Sequence, residues 1–360
     1  MNRVSGPSRY FAQFMFCAFL VAAIYASLWP FTGWTTTPRH PLAYLGGPLW
    51  SGLRKWDAVL NFAGYFPLGF FAALVLIERQ KRVVTVVVTI AILAGFSLTM
   101  EALQTYLPRR TPSLGDLVVN TLGAIAGAIS GLAAAPWVAR QGGVRGIRDR
   151  LFALGARSDL ALVLVGVWFF ALLAPRTILF GNGDIRPYRL ATIKFGLAPE
   201  LFLQIEVAVC ALGTVGIALL LRAISHPGAR LGAVFVGVIA AGLLVRSTGF
   251  ALFWGLGMTF SWATSSALIG LGIGVPVGLA ALRLSPDIAR WAAIMAFAGA
   301  IAAINLTPPN PQLWLKLRGV RASELSSLSQ ITRNTAMLWP FAAIALLFLP
   351  RRGLAQPIVS

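Results

Sequence analysis

The chain is poor in charge, and poorest in negative charge. Only 11% of its 360 residues are charged, and only 11 are Asp or Glu. An ordinary globular domain is about one quarter charged, so a water-facing surface of normal composition is excluded. Histidine is nearly missing: His40 and His226 are the only two, far apart and read as solvated loop residues. That scarcity argues against a metal centre built on imidazoles. The two cysteines, Cys17 and Cys210, lie inside apolar runs. They supply neither a disulfide framework nor a zinc spacing and read as small buried hydrophobes.

What is plentiful is apolar surface. Apolar residues make up 58% of the chain, and the mean hydropathy is +0.78. A soluble core of this length cannot hide so much apolar area, whereas a bilayer can. A spanning helix needs about twenty mainly apolar residues. Ten such runs occur, near 10–29, 59–78, 83–104, 116–138, 159–178, 200–221, 231–252, 260–282, 288–305 and 335–349. Transmembrane strands would be about ten residues long with strict alternation, a pattern these runs lack. The expected fold is therefore all-α: a polytopic integral membrane protein with about ten transmembrane helices. The first run follows Arg3 and Arg9, as a signal peptide would, but its core from Tyr10 to Trp29 is long and no small-x-small cleavage site follows it. It reads as a retained helix.

The 30 Lys and Arg residues give a formal charge of +19. They sit in short breaks between apolar runs, where basic residues anchor a protein to anionic headgroups. The bilayer is thus the expected partner. Nucleic acid is not, since no basic helix or RNA-reading motif is present. The short loops around Arg79, Lys81 and Arg82, from Arg140 to Arg157, and at Arg222, Arg230, Arg283 and Arg290 are densest in basic residues. Density in short loops sets orientation, which places both termini on the inner, cytoplasmic side. The stretch 139–158, rich in Arg and Gly, reads as a cytoplasmic linker between a four-helix domain (1–138) and a six-helix domain (159–360). A second non-spanning stretch, 307–334, carries Pro308, Pro309, Pro311, Lys316, Arg318 and Arg321 and reads as a proline-rich turn with room for a short surface helix. Two glycine stripes, Gly123/Gly127/Gly131 and Gly270/Gly274/Gly278, fit close helix packing or, alternatively, a moving interface.

The acidic residues of the front domain gather at helix ends. Asp57 and Asn61 open the second run, Glu101 and Gln104 close the third, and Asp116 and Asn120 open the fourth. Spacings of three and four put each pair on one helix face. Arg109 and Arg110 occupy the loop between Glu101 and Asp116. By the expected topology all these groups approach the outer surface. Ionisable groups at a bilayer edge are costly unless paired or wet. Three roles remain open. In the structural one, Asp57 and Asp116 favour helix N-termini, the two asparagines bond between helices, and Glu101 pairs with Arg109 or Arg110. In the second, the arginines hold a phosphate or carboxylate. In the third, Glu101 is a catalytic base while Asp57 and Asp116 hold a hard cation.

The stretch Tyr25-Ala-Ser-Leu-Trp-Pro-Phe31 resembles the close of the first helix in the VanZ-like family. Asp57-x3-Asn61 with Tyr65-Phe-Pro-Leu-Gly69 is similar to that family's second helix. Glu101-x2-Gln104, Pro108-Arg-Arg-Thr-Pro-Ser113 and Asp116-x3-Asn120-x2-Gly123-x3-Gly127 resemble its signature most closely. The likeness covers roughly residues 20–135. It implies that Asp57, Asn61, Glu101, Gln104, Arg110, Asp116 and Asn120 form the family's polar centre, with Arg109 adjacent. The founding member is associated with resistance to a glycopeptide antibiotic, without an established reaction. A phosphotransbutyrylase label carried by some members finds no coenzyme A site here.

The implied function is recognition or modification of a cell-envelope component, a lipid-linked glycan or an anionic lipid, on the outer face. A membrane enzyme acting on a lipid phosphate or glycan and a small-molecule transporter are the alternatives. The transporter would use a helix broken at Pro276 or a polar group such as Asn305. In the rear part, Asp184, Arg186, Arg189, Lys194, Glu200 and Glu206 cluster after the fifth run, Arg246 falls near the end of the seventh, and Arg318, Arg321 and Arg333 lie in the last outer loop. They read as headgroup anchors or as a surface for an anionic ligand. Trp254 and Trp262 read as an interfacial belt. The sequence names no cofactor and no oligomeric state.

Overall fold

The computed structural model describes residues 9–36, 40–49, 55–140, 143–174, 176–188, 199–308 and 326–349. Among them are eleven α-helices and no strand: α1 (Arg9–Leu28), α2 (Lys55–Leu76), α3 (Arg82–Gln104), α4 (Leu114–Ala139), α5 (Val144–Leu151), α6 (Ala156–Leu172), α7 (Pro199–Ala223), α8 (Gly232–Trp254), α9 (Ser265–Ala281), α10 (Pro286–Asn305) and α11 (Ser326–Phe348). Each of the ten apolar runs has its helix. Eight are long and apolar enough to cross a membrane. The other two, α6 and α9, have 17 residues each and reach about 26 Å, a little short of a ~30 Å hydrocarbon core.

Both short helices end for local reasons. The run read as 159–178 stops at Leu172 because the Arg246 guanidinium takes the carbonyls of Leu172 and Ala174 and the Thr177 hydroxyl and carbonyl. The run read as 260–282 starts only at Ser265, where Thr264 caps the helix by accepting from the Ala267 N–H at 3.2 Å. Pro276 was a candidate break, yet α9 continues through it. The last helix begins at Ser326, nine residues before the apolar run at 335 suggested. The arginines Arg189, Arg318, Arg321, Arg351 and Arg352, the lysines Lys194 and Lys316, and Pro309 and Pro311 lie outside the described residues.

The chain divides into two compact units, Met1–Ile147 and Arg148–Ser360. In the front unit α2 and α4 run side by side. Their contact is set by glycine. A Cβ on Gly123, Gly127 or Gly131 would stand 2.6, 1.9 or 2.5 Å from the carbonyl oxygen of Phe62, Phe66 or Phe70. Gly69 of α2 answers with a like approach to Ala124. Backbones meet this closely only where side chains are missing. Tyr65, Leu68, Leu93 and Ala124 form the buried core, with Phe16, Phe19 and Leu20 of α1 against it.

In the rear unit α7 is central and carries the buried residues Val209, Cys210, Ile217, Ala218 and Leu220. Gly270 and Gly274 of α9 face Cys210, Ala211 and Thr214 of α7, and Gly278 faces Phe235 of α8. Between α6 and α7 the segment Leu179–Gly183 is buried without being helical. Asn305 holds it: its Oδ1 accepts from the Ile185 N–H at 3.0 Å and its Nδ2 donates to the Gly183 carbonyl at 2.7 Å. Irregular backbone in such a unit survives only when its polar groups are met inside the protein.

Candidate functional site

Four helix ends converge at one end of the front unit: the C-termini of α1 and α3 and the N-termini of α2 and α4. Helix ends leave backbone groups unsatisfied; Glu101, Gln104 and Arg110 meet some of them, while Asn61, Asp116 and Asn120 bond other side chains. Asn61 Nδ2 donates to Asp116 Oδ1 at 2.8 Å, joining α2 to α4. Asn120 Nδ2 donates to Ser97 Oγ at 3.0 Å, joining α4 to α3. Gln104 Nε2 donates to the Ser27 carbonyl at 3.0 Å, joining α3 to α1. Arg110 completes the ring. Its Nε donates to the Trp29 carbonyl at 3.1 Å and its Nη2 to the Ala26 carbonyl at 2.5 Å. An arginine on the C-terminal carbonyls of α1, with Asp57 and Asp116 in the first turns of α2 and α4, is the arrangement that helix dipoles favour.

Glu101 does not make the arginine pair that the structural role among the three would give it. Its carboxylate is buried and Oε2 accepts from the Ser113 backbone N–H at 2.9 Å, while Ser113 itself caps α4 by accepting from the Gly115 N–H at 3.1 Å. Glu101 thus locks the α3–α4 turn onto the end of α3, and the arginines do not meet it at ion-pair distance. Asp57, Glu101 and Asp116 still lie close enough to Arg110 to act on it electrostatically. Burial lowers the Arg110 pKa below the ordinary arginine value, and the three acids work against that shift. Tyr44, in the turn after α1, donates to the Leu98 carbonyl at 3.4 Å. Its hydroxyl is pushed up to about 12, first by burial and then by Glu101.

Of the eight candidate residues, seven come together and one does not. Glu101, Gln104 and Asn120 are buried; Asp57, Asn61, Arg110 and Asp116 are half-buried; Arg109, next to Arg110 in the α3–α4 turn, is exposed. Ser97 and Ser113 belong to the same network and were not singled out as site residues, though Ser97 stands four residues before Glu101. Among the described residues no group of three His, Cys, Asp or Glu is gathered as a metal cage. The aromatic side chains Tyr25, Trp29 and Phe31 stack at this same end, with centroids 5.1 Å apart for Tyr25 and Trp29 and 5.4 Å for Tyr25 and Phe31.

Several rear residues sit differently from the sequence expectation. Arg246 is interior, only 2% exposed, and no headgroup anchor. Glu206 lies within α7 and accepts from Ser266 at 2.7 Å. Arg186 is paired with Asp184 at 2.7 Å and donates to the Thr307 carbonyl at 3.0 Å. His226 is half-buried, with Nε2 at 3.2 Å from the Asp149 carbonyl. Cys17 is exposed on α1, and only Cys210 is buried.

The fold and the polar ring define the class: a multi-pass helical membrane protein whose front bundle is tied at one end by acids, amides and an arginine. Residues 8–134 match the model of the VanZ/LLP1 family, and the front unit is a VanZ-like domain. No curated protein and no solved structure matches the chain. The rear unit lies outside the family match.

Proposed function

We propose that the front unit recognises the headgroup of a lipid-linked glycan at the outer face of a bacterial inner membrane. One observation carries the reading: Asp57, Asn61 and Asp116 form a half-buried edge of two carboxylates and an amide, held by a buried frame of Glu101, Gln104 and Asn120 with Arg110. Carboxylates take sugar hydroxyls as charge-assisted donors. Phosphate would meet two like charges there, and two of the three guanidinium nitrogens of Arg110 already serve backbone carbonyls. A glycan headgroup therefore suits this edge better than an anionic phospholipid. The stacked rings of Tyr25, Trp29 and Phe31 offer an apolar flank for a sugar face. Binding of a cell-wall precursor in this way would link the domain to glycopeptide-antibiotic resistance.

The test is native mass spectrometry of the purified chain with a polyprenyl-linked disaccharide and, separately, phosphatidylglycerol. The wild type retains the disaccharide lipid in preference, and Asp116→Asn weakens it about tenfold or more, the loss of one charge-assisted bond. Equal retention of both lipids, unchanged by Asp57→Asn and Asp116→Asn, would overturn the proposal.

A further inference from the structure

Helix α3 is apolar outward and polar inward. Val83, Val84, Val87 and Ile92 are exposed, while the buried positions of this helix are Thr85, Thr89, Leu93, Ser97, Met100, Glu101 and Gln104. Thr85, Thr89, Leu93, Ser97 and Glu101 follow at steps of four, so a buried stripe with one apolar interruption winds along the helix to the carboxylate. From Thr85 to Glu101 the stripe climbs about 24 Å, most of a hydrocarbon core.

The stripe is short of partners. Thr85 and Thr89 are 0% exposed, and neither hydroxyl meets a hydrogen-bond partner. Elsewhere in the chain Thr99, Thr121, Thr214 and Thr248 each donate to the carbonyl four residues back, the usual resort of a threonine in an apolar helix. Thr85 and Thr89 do not take it. Facing the stripe, the Tyr65 hydroxyl of α2 lies beside Ser97 without a bond of good geometry, and Asn120 Oδ1 of α4 is also unmet. Buried polar atoms without protein partners are satisfied by internal water.

We propose that the inward face of α3 is a hydrated proton path between the Arg82 end of the helix and the Glu101 carboxylate. Protons pass along it by hops in which each oxygen accepts one proton and releases another. Thr85 and Thr89 serve the first half and the Tyr65 and Ser97 hydroxyls the second, Asn120 Oδ1 only accepts a hydrogen bond from water on the path, and Glu101 is the terminal acceptor. The acid so formed gives its proton to solvent at the polar end and is a carboxylate again, so the path carries net H⁺ and keeps no charge. Glu101 is faced there by Tyr65 of α2, Asp116 of α4, Arg110 of the α3–α4 turn and Tyr44 of the first loop. Leu93, 1% exposed and packed with Tyr65, is the constriction. The path shares Glu101 with the frame of the headgroup edge, but conduction along it needs no bound headgroup, and Thr89 tests it apart from that edge.

The test uses the full chain in liposomes of neutral lipid, with a pH-sensitive dye inside and a potassium diffusion potential as the driving force. Wild type acidifies the lumen faster than empty liposomes do. Leu93→Ser raises the rate at least several-fold, while Thr89→Val and Glu101→Gln return it to the empty-liposome level. Thr89→Val removes only a hydroxyl and keeps the shape, and an unchanged melting temperature confirms that its fold is intact. Wild type and Leu93→Ser at the empty-liposome rate, or Thr89→Val conducting like wild type, overturns the path. Should Leu93→Ser fail to fold, the comparison of wild type with Thr89→Val decides alone.

Discussion

At the scale of single residues, arginine does work that composition disguises. Arg110 closes the end of α1, Arg246 the end of α6 and Arg290 the end of α11, the last through the Leu347 and Phe348 carbonyls at 2.5 and 3.0 Å. Arg222 gathers the His226 and Pro227 carbonyls beyond the end of α7 and the Leu284 carbonyl beyond the end of α9. A guanidinium suits this task because its fork satisfies several carbonyls at once and stays charged. Such carbonyl-capping arginines look like surface anchors in the sequence, since an arginine near a helix end carries no mark of which way it points. Replacing Arg110 by Ala removes two charge-assisted bonds to the end of α1 and leaves three acids without their cation. We expect a loss of about 2–4 kcal/mol in the unfolding of the detergent-solubilised protein, with Arg110→Lys recovering less than half because a point charge cannot span both carbonyls. A change below about 0.5 kcal/mol for Arg110→Ala would mean that these bonds hold nothing together.

At the scale of elements, helix existence was legible and helix ends were less so. Ten apolar runs became ten helices because length and hydropathy alone identify a helix in a bilayer. The ends of α6 and α9 were not legible, because one depends on Arg246, seventy-odd residues downstream, and the other on a single threonine cap. The site followed the same division. The pairs at i, i+3 and i, i+4 pointed to the right helix ends, since periodicity fixes which residues share a face. Their partners were hidden: Glu101 bonds a backbone N–H and Arg110 two backbone carbonyls, and backbone groups have no letter of their own in a sequence. The glycine stripe of α4 makes a prediction with a built-in contrast. Gly127→Ala sets a Cβ 1.9 Å from the Phe66 carbonyl oxygen, which forces α2 and α4 apart and costs about 2 kcal/mol or more. Gly95→Ala on α3 meets nothing within 4 Å and should be neutral or stabilising by up to ~1 kcal/mol, the ordinary helix preference for alanine. Equal melting temperatures for the two variants would refute the close contact.

At the scale of the whole molecule, the family likeness, the polar ring and its aromatic flank all belong to the front unit, and the rear unit offers a glycine-packed helix bundle with an irregular segment stapled by Asn305. The proposal for the front unit is that it presents the edge of Asp57, Asn61 and Asp116 to glycan headgroups outside the cytoplasm. Arg109 is the natural probe position, being exposed in the α3–α4 turn next to Arg110. The most direct measurement places a photo-crosslinking amino acid at Arg109 in the full chain and irradiates intact bacteria, followed by mass analysis of the adduct. A polyprenyl-linked glycan on the protein is expected, reduced when Asp116→Asn is added. Adducts of cytoplasmic proteins or of phospholipid alone would contradict the proposal.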